Sequence, residues 1–245
     1  MGLTVLDVQK PVIPGQSVKT IDIAKRSGAI QSSKKFIKNP LVVRCVLIGS
    51  STADLVTKLE ALPGYLYYDT DKALSFDDQT DRAWQAQFVD TVIVRRTYRY
   101  VYLDLVFTCN DPFAYDNTAT TDSQTITVKD TTYNVTNGGH DYAFPEITIT
   151  FNQVQTHVYI KSNTVVDNRF DISKAFASGD VLVVDCKNGT VKLNGSSSLT
   201  GFGDGGQSLA EWIMLATGVN ELQVGSDDST LNITVGLSFY KPYLY

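Results

Sequence analysis

The chain has 245 residues, of which 43% are hydrophobic and 19% are charged, and its formal net charge at pH 7 is −5. This length suits one large domain or two ordinary ones, and this composition is typical of globular proteins and excludes a disordered chain. The sequence contains no run of about 18 apolar residues, so we expect no insertion into a membrane.

The charge is unevenly distributed along the chain. Residues 1–122 contain 14 basic and 14 acidic side chains, whereas residues 123–245 contain 7 basic and 12 acidic ones. An acidic second half repels polyanions, so nucleic-acid binding is not expected there. Basic clusters at 34–38 and 95–99 indicate solvated strand faces or ion pairs between subunits, with phosphate contact as the alternative.

Residues 1–116 are predicted to form a first domain of α+β type with one clear helix. Ser51 and Asp54 have the spacing of a capping box, and Pro63 with Gly64 ends the helix. Apolar residues on one helix face follow the cap at Leu55, Leu59 and Leu62. Strands are predicted at 41–48, 83–94 and 98–107.

The last of these strands predicts an interface. Its alternation places valine and leucine on one face and tyrosine on the other. Tyrosine has an apolar ring and a polar tip, which suits contact with another subunit; an ordinary amphipathic sheet surface is the alternative. The candidate oligomer interface comprises Arg95, Arg96, Tyr98, Tyr100 and Tyr102.

Residues 117–123 are predicted to be a linker, because they are polar and show no apolar period. Residues 124–245 are predicted to form a β-sandwich or jelly roll, because short strands recur between Gly and Asn turns. Turns with positive φ are expected at Asn137–Gly138, Asn188–Gly189 and Asn194–Gly195. Strands are predicted at 124–129, 146–151, 157–162, 181–185, 191–193, 221–224 and 231–237, with a tight hairpin at 185–193.

The three cysteines, Cys45, Cys109 and Cys186, are widely spaced and form no C-x-x-C pair. The first residues lack the basic and long apolar segments of a signal peptide. We therefore expect reduced core thiols and synthesis in the cytoplasm.

No motif predicts a catalytic residue, a cofactor or a metal. Residues 201–206 read G-F-G-D-G-G, but serines precede them where a dinucleotide site needs a buried strand, which favours an exposed loop. His140 and His157 are the only histidines, and no H-E-x-x-H or G-x-S-x-G exists. His157 is interpreted as a structural residue. Trp84 and Trp212 could stack on sugar rings, although Trp212 is more typical of a core.

One acidic group has an open interpretation. Asp77, Asp78 and Asp81 could ligate a metal or act as the acid/base pair of a glycoside hydrolase. They lack the glycine and terminal glutamate of a calcium loop, so simple solvation in a turn is the alternative.

Three segments carry a family resemblance. Residues 107–115 read F-T-C-N-D-P-F-A-Y, residues 179–195 read G-D-V-L-V-V-D-C-K-N-G-T-V-K-L-N-G, and residues 212–215 read W-I-M-L, followed by G-V-N at 218–220. They resemble, in this order, three parts of siphophage distal tail proteins: the end of the N-terminal domain, the G-D-x-L-x-I-D-x…V-x-L-N-G run of the C-terminal domain, and the approach to the last strands.

The resemblance implies a virion structural protein. Distal tail proteins form a hexameric ring under the last ring of the major tail (tube) protein, and the channel admits the tape measure protein and then DNA. The C-terminal domain would be galectin-like, and the tail-tip neighbour would be a tail-associated lysin or fibre protein. The location would be the virion tail tip, after assembly in the host cytoplasm.

The loop at 196–206 is short compared with the arm that grips receptor-binding proteins in some relatives. A partner could still dock there, which makes Ser196, Phe202 and Asp204 a candidate partner loop. The galectin sugar motif His-x-Asn-x-Arg is not reproduced at residues 157–161, which read H-V-Y-I-K.

Three functional hypotheses remain open. The leading one is a non-enzymatic hub that joins the tail tube to the tail tip or baseplate. The second is a carbohydrate-binding module acting through residues 123–245 in host-surface adhesion. The third is a glycoside hydrolase that uses the acidic group at 77–81.

Overall fold

The computed structural model describes residues 2–23, 27–197 and 212–244. Within these residues strands predominate, which confirms the prediction of a mainly β chain. The chain divides into two compact units: the first runs to Tyr115 and includes Leu244, and the second is Asp116–Tyr243.

The first unit is built around one antiparallel sheet. Its strand order is β1-β4-β7-β6-β8, with β5 paired to β6. Strands β2 and β3 pair only with each other among the described strands. The elements are β1 (Leu3–Gln9), β2 (Gln16–Asp22), β3 (Ala29–Phe36), β4 (Asn39–Ile48), α1 (Thr52–Ala61), α2 (Pro63–Leu66), β5 (Lys72–Phe76), β6 (Gln79–Arg96), β7 (Tyr100–Cys109) and β8 (Ala114–Asp116).

Helix α1 covers one face of this sheet. Leu55 on the helix is buried together with Cys45 and Leu47 from β4 and with Val101 and Leu103 from β7. The alternation predicted for β7 therefore exists, because these side chains point inward and the tyrosines between them do not.

The predicted helix cap is confirmed. Ser51 is the N-cap, and its side-chain oxygen accepts a hydrogen bond from the Asp54 backbone N–H at 3.2 Å. The Asp54 carboxylate accepts from the Ser50 backbone N–H at 2.7 Å instead of returning to Ser51. Polar groups at the start of the helix are thus satisfied locally.

The second unit contains two antiparallel sheets. One has the order β10-β17-β12-β13 and the other β16-β15-β14-β11-β18-β9. The elements are β9 (Thr120–Ile126), β10 (Thr131–Asn137), β11 (Glu146–Phe151), β12 (Gln155–Ser162), β13 (Arg169–Phe176), β14 (Val181–Asp185), β15 (Thr190–Leu193), β16 (Ser196–Ser197), β17 (Gly218–Gly225), β18 (Ile233–Phe239) and β19 (Pro242–Tyr243).

Both sheets contribute to a single buried core, as in a sandwich. Ile160 of β12 and Val224 of β17 come from the first sheet, and Ile149 of β11 and Val235 of β18 come from the second. The predicted hairpin is present, since Asp185 pairs with Thr190 between β14 and β15.

The predicted linker overlaps a strand. Strand β9 begins at Thr120 and pairs with β18 along its whole length, so only residues 117–119 lie between β8 and β9. The predicted strand at 124–129 overlaps only the end of β9, and the first residues of β9 were assigned to the linker because most of its side chains are polar and exposed and only Ile126 is buried. Its register is held by the β18 ladder, including a Thr125 to Thr234 hydroxyl contact at 3.1 Å.

One predicted turn is wrong and two are confirmed. Gly189 and Gly195 have φ of 65° and 78°, whereas neither Asn137 nor Gly138 has a positive φ. Asn137 is instead buried, and its side-chain amide donates to the carbonyls of Asp141 at 2.8 Å and Leu215 at 2.9 Å. The Asn137 side chain therefore links two segments of the chain, instead of forming the predicted turn.

Candidate subunit-contact surface

The candidate interface lies at the connected end of strands β6 and β7. Arg95 and Arg96 are exposed at the end of β6, and Tyr98 in the turn is 74% exposed. Tyr100 is exposed and Tyr102 is half-buried at the start of β7. We call residues 95–100 the hairpin tip. The structure therefore brings four of the five predicted residues to one tip, with Tyr102 just behind it.

Hydrogen bonds hold the tip against the start of α1. Within the turn, the Thr97 N–H donates to the Tyr100 carbonyl at 2.8 Å. The Gly49 N–H donates to the Arg99 carbonyl at 2.9 Å, and Arg99 Nε donates to the Gly49 carbonyl at 3.0 Å. These contacts give the tip a defined position, which an interface requires.

Directly before the tip, β6 exposes aliphatic side chains on both of its faces. Val92 and Ile93 are paired in succession with β7, so their side chains lie on opposite faces, and Val94 follows at a β-bulge; each of the three is about half exposed. Apolar residues on both faces of a projecting strand favour contact with another chain. These residues lie within the strand predicted at 83–94, but its pattern did not predict their exposure.

Behind the tip, the tyrosine face continues into an ion pair. Arg44 of β4 binds Asp104 of β7 through two hydrogen bonds, from Nε at 2.9 Å and from a terminal guanidinium nitrogen at 3.2 Å. The Arg44 hydrogen bond lowers the pKa of Asp104 below its ordinary value. Asp104 at this end of the tyrosine face is therefore already paired with Arg44 of the same chain.

A second exposed apolar surface lies on the β2–β3 hairpin. Every residue of β2 is exposed, as is every residue of β3 except Phe36. Val18, Ile21 and Ile30 are each about half exposed. A lone two-stranded hairpin is marginally stable in water, so another surface is needed to cover it.

Three tyrosines after helix α1 were missed by the sequence analysis. Tyr65, Tyr67 and Tyr68 are all exposed, Tyr67 to 76%. The signal in the sequence is the group of three tyrosines in Y-L-Y-Y directly after Pro-Gly, which is too short for a strand. We call residues 65–71, of which Tyr65 and Leu66 end α2, the tyrosine loop.

The acidic group at 77–81 is used in structural contacts. Lys10 Nζ binds Asp78 Oδ2 at 2.7 Å and lies 4.9 Å from the centre of the Phe76 ring. Asp81 approaches Arg82 at 3.4 Å. Within the described residues, no group of three or more His, Cys, Asp or Glu side chains is arranged to hold a metal ion.

His157 belongs to a buried network in the second unit, which confirms its structural interpretation. Its Nδ1 accepts from the Asp227 backbone N–H at 3.0 Å, so Nε2 donates to Asp171 at 2.7 Å. Asp171 also accepts from Arg169 Nε at 3.0 Å. Arg169 in turn lies 4.2 Å from the centre of the Tyr159 ring. The network links β12 and β13.

The two tryptophans considered for sugar stacking are packed within the protein, and the ring of Tyr159 is also in contact with the chain. Trp84 is only 1% exposed. Trp212 packs against the hydrophobic core of the second unit, and Gly189 leaves room for its indole. One face of Tyr159 is covered by Arg169, and its hydroxyl is hydrogen-bonded to Asp130.

The loop at 196–206 is described only at its first two residues, so Ser196 alone of the candidate partner residues can be placed. Ser196 is exposed in β16 and pairs with Leu193 of β15. Phe202 and Asp204, like the glycine-rich motif at 201–206, lie outside the described residues.

The cysteines are free and buried, as predicted. Burial raises the pKa of Cys109 and of Cys186 to about 12. Among the described residues, no helix has both the length and the apolar character that crossing a membrane requires.

Comparison with known proteins identifies the family. The model described as phage tail protein RIFT-related domain matches residues 3–129, and the model described as siphovirus-type tail component, C-terminal domain, matches residues 138–241. The distal tail protein of Bacillus phage SPP1 is 27% identical over 232 residues, which cover 91% of this chain and 87% of that protein.

The crystal structure of the SPP1 distal tail protein is similar in fold. It aligns with a TM-score of 0.77 at 19% identity and covers 96% of this chain and 92% of the other. The two family models thus divide the chain between them, in the order expected from the resemblance noted in the sequence. The chain belongs to the siphophage distal tail protein family.

Proposed function

We propose that this chain is the hub at the distal end of a siphophage tail, where six copies form a ring that joins the tail tube to the tail tip or baseplate. The observation that carries the proposal is the match of both halves of the chain to tail-protein families. The SPP1 relative is described as a hub of the adsorption apparatus in phages that infect Gram-positive bacteria.

The surface of the first unit supports ring formation. A closed ring joins one patch of each subunit to a different patch of the next. The β2–β3 hairpin and the hairpin tip both expose apolar side chains that an adjacent copy would cover. Residues 1–116 would therefore be the ring-forming domain, and Arg95, Arg96, Tyr98, Tyr100 and Tyr102 would belong to its interface.

The charge balance supports passage of DNA without retention. Residues 1–122 carry equal numbers of basic and acidic side chains. A channel lined by such a domain lacks the excess positive charge that holds phosphates, so the tape measure protein and DNA would pass through it.

The second unit would face the remaining partners. We propose that residues 124–245 form a galectin-like domain outside the channel, and that the tail-associated lysin or fibre protein binds at the tail tip. The chain would act by assembly in the virion tail tip, after synthesis in the host cytoplasm, and would catalyse no reaction. The ion pair between Lys10 and Asp78, one of the three aspartates at 77–81, supports a structural role for this acidic group and not a hydrolytic one.

The aromatic rings that the sequence offered for sugar stacking do not support the carbohydrate-binding alternative. Trp84 and Trp212 are packed, and Tyr159 lies under Arg169.

The ring can be tested with the full chain. Light scattering after size exclusion, and negative-stain images, are expected to show a hexamer, either for the chain alone or after the tube protein is added. A strictly monomeric chain under both conditions would overturn the proposal.

A further inference from the structure

We propose that the hairpin tip of one copy binds the tyrosine loop of the next copy, with Arg95 and Arg96 facing Tyr65, Tyr67 and two aspartates. This inference rests on the ring proposed above and names the two surfaces that meet. It assigns a role to Tyr65 and Tyr67, whose side chains are largely exposed.

The tyrosine loop has the chemistry of an arginine acceptor. Tyr65 and Tyr67 expose most of their surface, and Asp69 and Asp71 next to them are exposed carboxylates. Exposed aromatic rings bind guanidinium groups through cation–π contacts, and carboxylates bind them through paired hydrogen bonds. The same loop shows such a contact internally, because Lys72 Nζ lies 5.4 Å from the centre of the Tyr68 ring.

The hairpin tip has the complementary chemistry. Arg95 and Arg96 are adjacent at the end of β6, and both are exposed. Their partners across the strand pair, Tyr102 and Val101, carry no charge. Arginine beside tyrosine is the composition typical of the residues that contribute most to protein interfaces.

The two surfaces lie at different ends of the first unit. The tip is fixed at the start of α1 through Gly49, whereas the tyrosine loop follows the end of that helix, ~15 Å away along a ten-residue helix. Strand β6 gives a second measure of the separation between the tip and the tyrosine loop. Gln87 of β6 contacts the Tyr68 carbonyl at 3.5 Å, and Arg96 lies nine residues further along the strand, which is roughly 30 Å. One copy cannot bring its own tip to its own loop, but neighbours in a ring can.

The first test exchanges the charges. The double variant Arg95→Glu/Arg96→Glu and the double variant Asp69→Arg/Asp71→Arg are each expected to raise the midpoint concentration of ring assembly roughly tenfold or more, because like charges then face each other. The variant with all four changes is expected to return to within about threefold of the wild type.

A matched control has the same change in charge elsewhere. Lys161→Glu/Lys192→Glu alters two exposed lysines of the second unit by the same amount and is expected to leave the assembly midpoint unchanged. Circular dichroism and thermal unfolding of every variant show whether each one folds.

A second test reports the contact directly. A chain with Arg96→Cys is mixed with a chain with Tyr67→Cys and treated with a short bifunctional thiol cross-linker. The mixture is expected to give a cross-linked dimer, whereas either chain alone is not, because each chain carries its one added cysteine on only one of the two surfaces that meet. The natural cysteines are buried and do not compete.

The outcomes separate the two proposals. A wild-type chain that never assembles, with or without the tube protein, overturns the ring and this contact together. A wild-type chain that assembles while the four-residue variant stays defective and the mixture gives no cross-link overturns this contact and leaves the ring intact.

Discussion

Asp54 connects the turn before helix α1 with the first turn of the helix. The Ser50 backbone hydrogen bond, the Lys58 ammonium at 3.0 Å and the Ser50 hydroxyl together lower the pKa of Asp54 from its ordinary 3.8 to about 2. A carboxyl whose pKa is lower in the folded state stabilises the fold above its unfolded pKa, and this stabilisation disappears as the pH falls through the folded pKa.

We therefore expect Asp54 to contribute to stability at neutral pH and to lose that contribution between about pH 4 and about pH 2. Carboxyl carbon NMR titration of the intact chain should show an Asp54 midpoint near pH 2. In Asp54→Asn, the free energy of unfolding should be lower at neutral pH and should approach that of the wild type at the acid end. An ordinary midpoint near 3.8 would contradict this account.

Two adjacent glycines provide a matched pair of substitutions. A Cβ on Gly139 would lie 2.6 Å from the Pro242 carbonyl oxygen, whereas a Cβ on Gly138 would approach nothing nearer than the Lys241 side chain at 3.8 Å. Neither glycine has a positive φ, so the difference is steric.

Gly139→Ala is expected to destabilise the second unit by about 1–3 kcal/mol, because backbone at Pro242 must move. Gly138→Ala should change stability by no more than about 0.5 kcal/mol. Urea unfolding of both variants measures the difference, and equal stabilities would show that the segment at Pro242 moves without cost.

At the scale of elements, strands with an alternating apolar pattern were predictable and polar ones were not. Strands β11 and β14 have the predicted bounds, because buried residues alternate with outward ones in each. The buried residues are Ile147 and Ile149 in β11, and Leu182 and Val184 in β14. Strands β2 and β3 were missed, because neither buries a face and their apolar residues mark no inward side.

The candidate surface was predictable in part for the same reason. Tyr100 and Tyr102 stood out because they alternate with the buried residues Val101 and Leu103 in β7, whereas Tyr98 lies in the turn before this strand. The tyrosine loop follows no period, and its exposure depends on how α1 and α2 present it, which is a property of the tertiary structure.

The β2–β3 hairpin should show its dependence on a partner in hydrogen exchange. In the monomeric chain, amides of β2 and β3 are expected to exchange much faster than those of β4 and β7, because solvent reaches both faces of the hairpin. In the assembled ring they should become protected. Equal protection of the hairpin and of β4 in the monomer would show that its own chain stabilises it.

At the scale of the whole molecule, the distribution of charge sets the response to DNA. The first half is neutral and the second half supplies the net −5. We expect no measurable binding of labelled single- or double-stranded DNA in fluorescence anisotropy at about 0.15 M salt. Submicromolar binding that weakens with added salt would contradict a channel that only conducts DNA.

The burial of the three free cysteines has a practical consequence. Cys45 and Cys109 lie in the first unit and Cys186 in the second, and all three are protonated and inaccessible in the folded state. An alkylating reagent therefore reacts only when a unit opens, so mass spectrometry of the three peptides reports the opening rate of each half separately. Placed inside an intact virion, the same natural probes would record which half loosens first when the particle is triggered.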